Sequence, residues 1–124
     1  MGKILLVDDD RATNFYNQII LKRNKVDHDI KVMENGLKAI EYIRNNSQPD
    51  FIFLDINMPV MDGFQFLEAY ESWLEGETNN TKIYVMMSVV LSDEKLKKLA
   101  HYNYVRVINS KVLTKTEINK ILKN

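Results

Sequence analysis

Cysteine is absent from the 124 residues, which excludes both a disulfide framework and a thiolate metal site. Histidine is scarce: His28 and His101 stand alone, with no partner histidine or carboxylate pattern, and neither receives a role. No apolar run approaches the roughly 20 residues that cross a bilayer. The opening Met-Gly-Lys-Ile-Leu-Leu-Val-Asp reaches acidic residues too early for a secretory signal. A soluble cytoplasmic protein without membrane contact is the expectation. Net charge is also missing, since 17 Lys and Arg balance 17 Asp and Glu, and such a chain neutralises few nucleic-acid phosphates. There is no internal repeat, linker or low-complexity segment. The length leaves room for one core, so a single domain over residues 1–124 is expected, without a second catalytic or DNA-binding module.

What is present is a folded composition: 45% hydrophobic residues, 6 Tyr, 5 Phe and 1 Trp. The charges are segregated. Residues 50–81 carry seven acids (Asp50, Asp55, Asp62, Glu68, Glu71, Glu75, Glu77) and no base, whereas residues 92–124 carry eight bases against three acids. An acidic middle suits a cation site and a basic end suits an acidic partner or a phosphate, although solvated helix faces account for most of these side chains.

Five apolar runs alternate with five helical patterns. Ile4-Leu5-Leu6-Val7 reads as a buried strand that stops at Asp8-Asp9-Asp10. Ala12, Phe15, Tyr16, Ile19 and Ile20 recur at helical spacing. His28–Met33 is a second strand, and Leu37, Ile40 and Ile43 mark a helix after the Asn35-Gly36 turn. Phe51–Leu54 fits a central strand. Phe64, Leu67, Tyr70 and Leu74 give a third helix, followed by a polar stretch, Gly76–Thr81, that reads as a flexible insertion. Ile83–Met87 and Val105–Ile108 are strands four and five. Leu96, Leu99 and Ala100 mark a helix capped by Ser92, and Ile118, Ile121 and Leu122 face inward from a last helix capped by Thr114. Strict alternation implies an α/β fold, a parallel sheet with right-handed crossovers and helices on both faces. Ligands of such sheets sit where strands end at their carboxyl edge. Asp8-Asp9-Asp10, Asp55, Ser88 and Lys111 all follow strands, so the topology gathers them at that edge.

LLVDDD, FLDINMPVMDG, MMS and the late Lys111 together resemble the response-regulator receiver domain, the phospho-acceptor half of two-component signalling, over essentially the whole chain. FIFLDINMPVMDGF is especially similar to receivers that stand alone as single domains. The resemblance implies a five-stranded, flavodoxin-like doubly wound sheet of order 2-1-3-4-5 with five helices. It also implies Asp55 as phospho-acceptor, Mg²⁺ held by Asp9 and Asp55 with Asp8 acting mainly through water, and the backbone carbonyl of Asn57 completing the set. Ser88 and Lys111 would take phosphoryl oxygens, with Ser88 and position 108 as switch residues. The implied donor is a histidine kinase or phosphotransfer protein. The implied output is a protein target on the face of helix four, strand five and helix five, with no direct nucleic-acid contact.

Elementary electrostatics agrees with a cation site. Two carboxylates about 4 Å apart at an effective dielectric near 20 cost roughly 4 kcal/mol, so a cluster must be neutralised by protons or a metal. Oxygen ligands without His or Cys select a hard cation, and partial ligation with retained waters suits Mg²⁺. An ionised carboxylate needs no activating base to attack phosphorus. Read alone, Asp8–Asp10 also fits a solvated loop with a helix cap, Lys111 a surface lysine, and Ser88 a small strand-ending residue.

Three positions depart from the receiver pattern. Ile108 stands where an aromatic residue is usual, is stiff at χ1, and cannot reproduce an aromatic swing; Tyr104, the nearest aromatic, is out of step. Val112 replaces the usual proline after the lysine, so the Lys111–Val112 peptide is expected to be trans. Val89 is larger than the usual Ala or Gly and is expected to narrow access, slowing phosphorylation or prolonging the phosphorylated form. Met58, Met61, Met86 and Met87 are compatible with a soft metal site or an adaptable binding surface, but strand position and core packing explain Met86 and Met87 better. These departures motivate an alternative, a receiver-like interaction module that no longer depends on phosphate. A Mg²⁺-dependent phosphatase would need an acid two residues after Asp55, where Asn57 stands. A flavodoxin-type carrier would need a phosphate loop where the chain has carboxylates.

Overall fold

Every side chain of Ile4-Leu5-Leu6-Val7 is buried, which requires a strand covered on both faces. The computed structural model, which describes residues 2–123, places this strand, β1 (Gly2–Val7), inside a five-stranded sheet. With β2 (His28–Met33), β3 (Phe51–Asp55), β4 (Lys82–Met86) and β5 (Val105–Ile108), the order is β2-β1-β3-β4-β5, all parallel. The helices α1 (Arg11–Arg23), α2 (Gly36–Asn45), α3 (Gly63–Leu74), α4 (Asp93–Ala100) and α5 (Lys115–Leu122) alternate with the strands. This is the expected architecture. No helix among the described residues is long and apolar enough to cross a membrane.

Alternation along the strands divides the core in two. Leu5, Val7, Ile52, Leu54, Ile83 and Val85 pack against Ile40, Ile43, Phe66, Leu67 and Tyr70 of α2 and α3. Ile4, Leu6, Phe53, Met86 and Ile108 pack against Leu21 of α1 and Ile118 of α5. Each such aliphatic side chain stabilises the fold by about 1.5–3 kcal/mol when fully buried.

All five helices begin at the carboxyl edge of the sheet, each with a side-chain cap: Asp10, Asn35, Asp62, Ser92 and Thr114. Asp62 with Gln65, and Thr114 with Glu117, form reciprocal capping boxes. The helix dipoles therefore turn their positive ends toward the edge where the acidic residues collect. Gly63 lets α3 start against β3: a Cβ there would lie 2.8 Å from the Asp55 carbonyl oxygen and the Ile56 Cα, and its N–H donates to Ile56 O at 2.8 Å.

The structure differs from the sequence expectation in three places. In α1 the helix is present but two of its apolar residues turn outward, Phe15 at 64% and Tyr16 at 46% exposed, while Asn14, Asn17 and Leu21 are buried and Ile20 packs part-buried against the core. Carboxamides win the inner face because unpaired backbone groups wait there. The stretch after α3 is tied down, not loose. Thr81 is buried, its hydroxyl donates to Pro49 O, the Tyr70 hydroxyl donates to Asn79, and Gln48 accepts from Asn80 N. Polar composition signalled solvent where it supplies an internal network. Third, β4 runs one residue earlier than expected, over Lys82–Met86, with Met87 N still bonded to Ile108 O.

Candidate functional site

The register fixes the site. Val7 pairs with Leu54, so Asp8 comes level with Asp55, the last residue of β3; Asp55 in turn pairs with Met86. Asp8 is held by its N–H to Met33 O (3.1 Å), and its carboxylate accepts from Asp10 N (2.9 Å). Asp8 and Asp55 are buried while Asp9 is exposed, and one oxygen from each of the three lies within 4.8 Å of the others. Lys111, reaching in from the loop after β5, sets its Nζ 3.0 Å from Asp55 Oδ1 and 3.5 Å from Asp8 Oδ2.

One ammonium against three carboxylates leaves the pocket anionic, and the titration behaviour follows. Burial, with the charge of Asp55 beside it, pushes the Asp8 carboxyl up to about 6, although the Asp10 N–H works against the shift. Burial alone would lower Lys111. The hydrogen bond to Asp55 and the charges of Asp55 and Asp8 outweigh it and hold the ammonium above its ordinary value. Asp55 Oδ2 is buried without a hydrogen-bond partner among the described residues. An unpartnered buried carboxylate oxygen in an oxygen-only donor set fits a hard divalent cation.

Asp10 stands apart from this group. Its side chain accepts from Ala12 N (3.0 Å) and the Thr13 hydroxyl (2.9 Å), and these bonds, Thr13's foremost, hold its carboxyl below the usual range. Asn57 and Ser88 lie at the same edge, two residues beyond the ends of β3 and β4, and both are exposed. Neither belongs to the contact that joins Asp8, Asp55 and Lys111. Val89 and Val90 are 58% and 97% exposed. Ile108 is buried at the end of β5 in the core layer with Met86, Leu113 and Ile118. Tyr104 sits at the opposite end of that strand. It packs edge-on against Tyr70 and donates to Glu71 at 2.8 Å; burial first, then Glu71, push its hydroxyl well above the ordinary value. Among the described residues no peptide is cis, so Lys111–Val112 is trans as expected.

Sequence reasoning missed two residues. Asn14 Nδ2 donates to the Asp8 carbonyl at 2.8 Å. Asn17 donates to Lys111 O (3.3 Å) and accepts from Leu113 N (2.8 Å). The available signal was their phase: positions 14 and 17 form one helical stripe with Leu21.

The chain matches the family model of the response regulator receiver domain over residues 4–123. It is 34% identical over 70 residues to response regulator Rcp1 of Synechocystis sp., an alignment that covers 52% of this chain and 48% of that protein, so the chain spans about half of that relative. It superposes on a two component response regulator from Cytophaga hutchinsonii with a TM-score of 0.82 and 25% identity, covering 95% of this chain and 91% of the other. The receiver domain of the histidine kinase CKI1 from Arabidopsis thaliana, solved in complex with Mg²⁺, shares the fold at a TM-score of 0.72 and 18% identity over 86% of this chain and 82% of that one.

Proposed function

This chain belongs to the response regulator receiver domain family, the signalling module of two-component systems, and from that premise we propose that it accepts a phosphoryl group on Asp55. The observation that carries the reading is the pairing of Asp55 Oδ1 with Lys111 Nζ at 3.0 Å, while Oδ2 is buried with no partner among the described residues. Asp8, Asp9, Asp55 and the Asn57 carbonyl would hold Mg²⁺, which when bound supplies charge neutralisation for the anionic acceptor and the incoming phosphoryl group. An Asp55 oxygen forms the new O–P bond as the donor's P–N or P–O bond breaks in line. Lys111 holds a phosphoryl oxygen electrostatically, and the Ser88 hydroxyl donates to another. Ser88 would have to be drawn in from its exposed position, and that movement is the switch.

The modified Asp55 carries roughly two negative charges and three strong acceptor oxygens in place of one carboxylate charge. Ser88 leads into α4 and Lys111 into α5, so pulling both inward re-sets the face built from α4, β5 and α5. The donor is a histidine kinase or phosphotransfer protein and the output is a protein bound on that face. Phosphorylation shifts this equilibrium only by its differential interaction with the two arrangements. Intact-mass measurement after incubation with acetyl phosphate tests the reading: one phosphoryl group with Mg²⁺, none with a chelator, and none in Asp55→Asn. Label retained in Asp55→Asn places the acceptor elsewhere.

The burial of Ile108 favours a second reading, an interaction module indifferent to phosphate, because a packed β-branched side chain cannot swing between two positions. It predicts equal partner affinity before and after labelling, whereas the first predicts a difference.

A further inference from the structure

Lys111 is a long side chain on an irregular loop, and a loop that aims a charge at a buried carboxylate must itself be fixed. No strand continues beside it: β5 ends at Ile108 and α5 begins at Lys115. The fixing group comes from α1, 94 residues earlier. The buried Asn17 carboxamide donates to Lys111 O at 3.3 Å and accepts from Leu113 N at 2.8 Å. It thus grips the backbone on both sides of Val112, as a neighbouring strand would. Val112 itself is braced locally: its N–H donates to the Ser110 hydroxyl at 3.1 Å, and that hydroxyl donates to Val112 O at 2.9 Å. One helical turn before Asn17, Asn14 holds the Asp8 carbonyl at 2.8 Å. A single helix face therefore sets the backbone positions of both residues that touch across Lys111 Nζ and Asp8 Oδ2.

We propose that Asn17 is a positioning residue for phosphoryl acceptance, acting through Lys111 by clamping the 111–113 backbone, with Ser110 as the outer brace of the same loop. The proposal rests on the reading of Lys111 as a phosphoryl ligand. Two observations support it beyond the bonds themselves. Asn17 is only 4% exposed, and its bond from Leu113 N is buried and so shielded from competing water. And the face of α1 that would ordinarily be apolar is given over to carboxamides, while Phe15 and Tyr16 are left in solvent.

The test is a double-mutant cycle on the rate of Mg²⁺-dependent labelling by acetyl phosphate, using the wild-type chain, Asn17→Ala, Lys111→Ala and the pair. Asn17→Ala is expected to slow labelling about tenfold when Lys111 is present and less than about twofold when it is absent. Equal slowing in both backgrounds means that Asn17 is merely structural and overturns the proposal. Ser110→Ala, which alters a side chain in the loop and none in the core, gives the same test should Asn17→Ala not fold: about threefold slower with Lys111 and unchanged without it. Amide exchange supplies a readout independent of activity. The Leu113 N–H is protected in the wild type and loses that protection in Asn17→Ala; rapid exchange in the wild type contradicts the clamp. Absence of label in the wild-type chain defeats the phospho-acceptor reading and the proposal with it, whereas normal label in Asn17→Ala defeats the proposal alone.

Discussion

Asp8 is the residue whose environment has the most direct thermodynamic consequence. Its carboxyl titrates near 6 in the folded chain against an ordinary 3.8, so between those values the folded state binds more protons than the unfolded state. Stability of the metal-free protein therefore falls as pH rises through that window, by on the order of 3 kcal/mol. Above it, Mg²⁺ should restore the loss by binding the folded state alone. Melting temperatures from about pH 4 to about pH 8, with chelator and then with Mg²⁺, check both halves; a flat metal-free profile contradicts the first. Val60 offers a second test. Its φ of 69° and the bond from Met61 N to Pro59 O (2.7 Å) describe a tight turn that a β-branched residue enters with strain. Val60→Gly relieves about 1–2 kcal/mol of strain and costs about 0.5–1 kcal/mol of backbone entropy. Melting should rise by a few degrees, about 3 °C; a lower melting temperature counts against strain at this position.

Among the elements, α1 shows where reading a sequence stops. Its helical period was legible, and so was the place of the carboxylates that precede it, with a helix cap among them as one of two readings. Its orientation was not, because periodicity counts apolar side chains and cannot see that backbone groups of Asp8, Lys111 and Leu113 would need carboxamide partners. Phe15→Ala should change stability by less than about 0.5 kcal/mol, whereas Leu21→Ala should cost about 2–5 kcal/mol. Denaturant unfolding of the two variants distinguishes the observed orientation from the apolar one. The segment before β4 carries the same lesson. Asn79, Asn80 and Thr81 look like loop residues by type, but their partners Gln48, Pro49 and Tyr70 lie far away in sequence and give no local signal. Thr81→Val leaves the Pro49 carbonyl without its donor and should cost about 1–3 kcal/mol. A neutral result would mean that the segment is held in some other way.

For the molecule as a whole, the parallel topology does the assembling. Five strands ending at one edge and five helices beginning there bring Asp8 and Asp9, Asp55, and Lys111 together from three parts of the chain. That much could be read in advance, because a buried strand stopping at a carboxylate is visible in sequence. That Ser88 and Asn57 are exposed at that edge, outside the contact of Asp8, Asp55 and Lys111, could not be, because loop conformation after a strand depends on contacts that no period encodes. If acceptance of the phosphoryl group re-sets the basic end of the chain, amide exchange should change across α4, β5 and α5 and stay unaltered in β1 and β3; a change confined to residues around Asp55 would favour the phosphate-indifferent module. The most direct measurement is chemical. The chain is incubated with acetyl phosphate and Mg²⁺, reduced with borohydride so that an aspartyl phosphate becomes homoserine, and mapped by peptide mass spectrometry. The account predicts homoserine at position 55 and at no other aspartate; homoserine elsewhere, or an unreduced Asp55 in labelled protein, would contradict it.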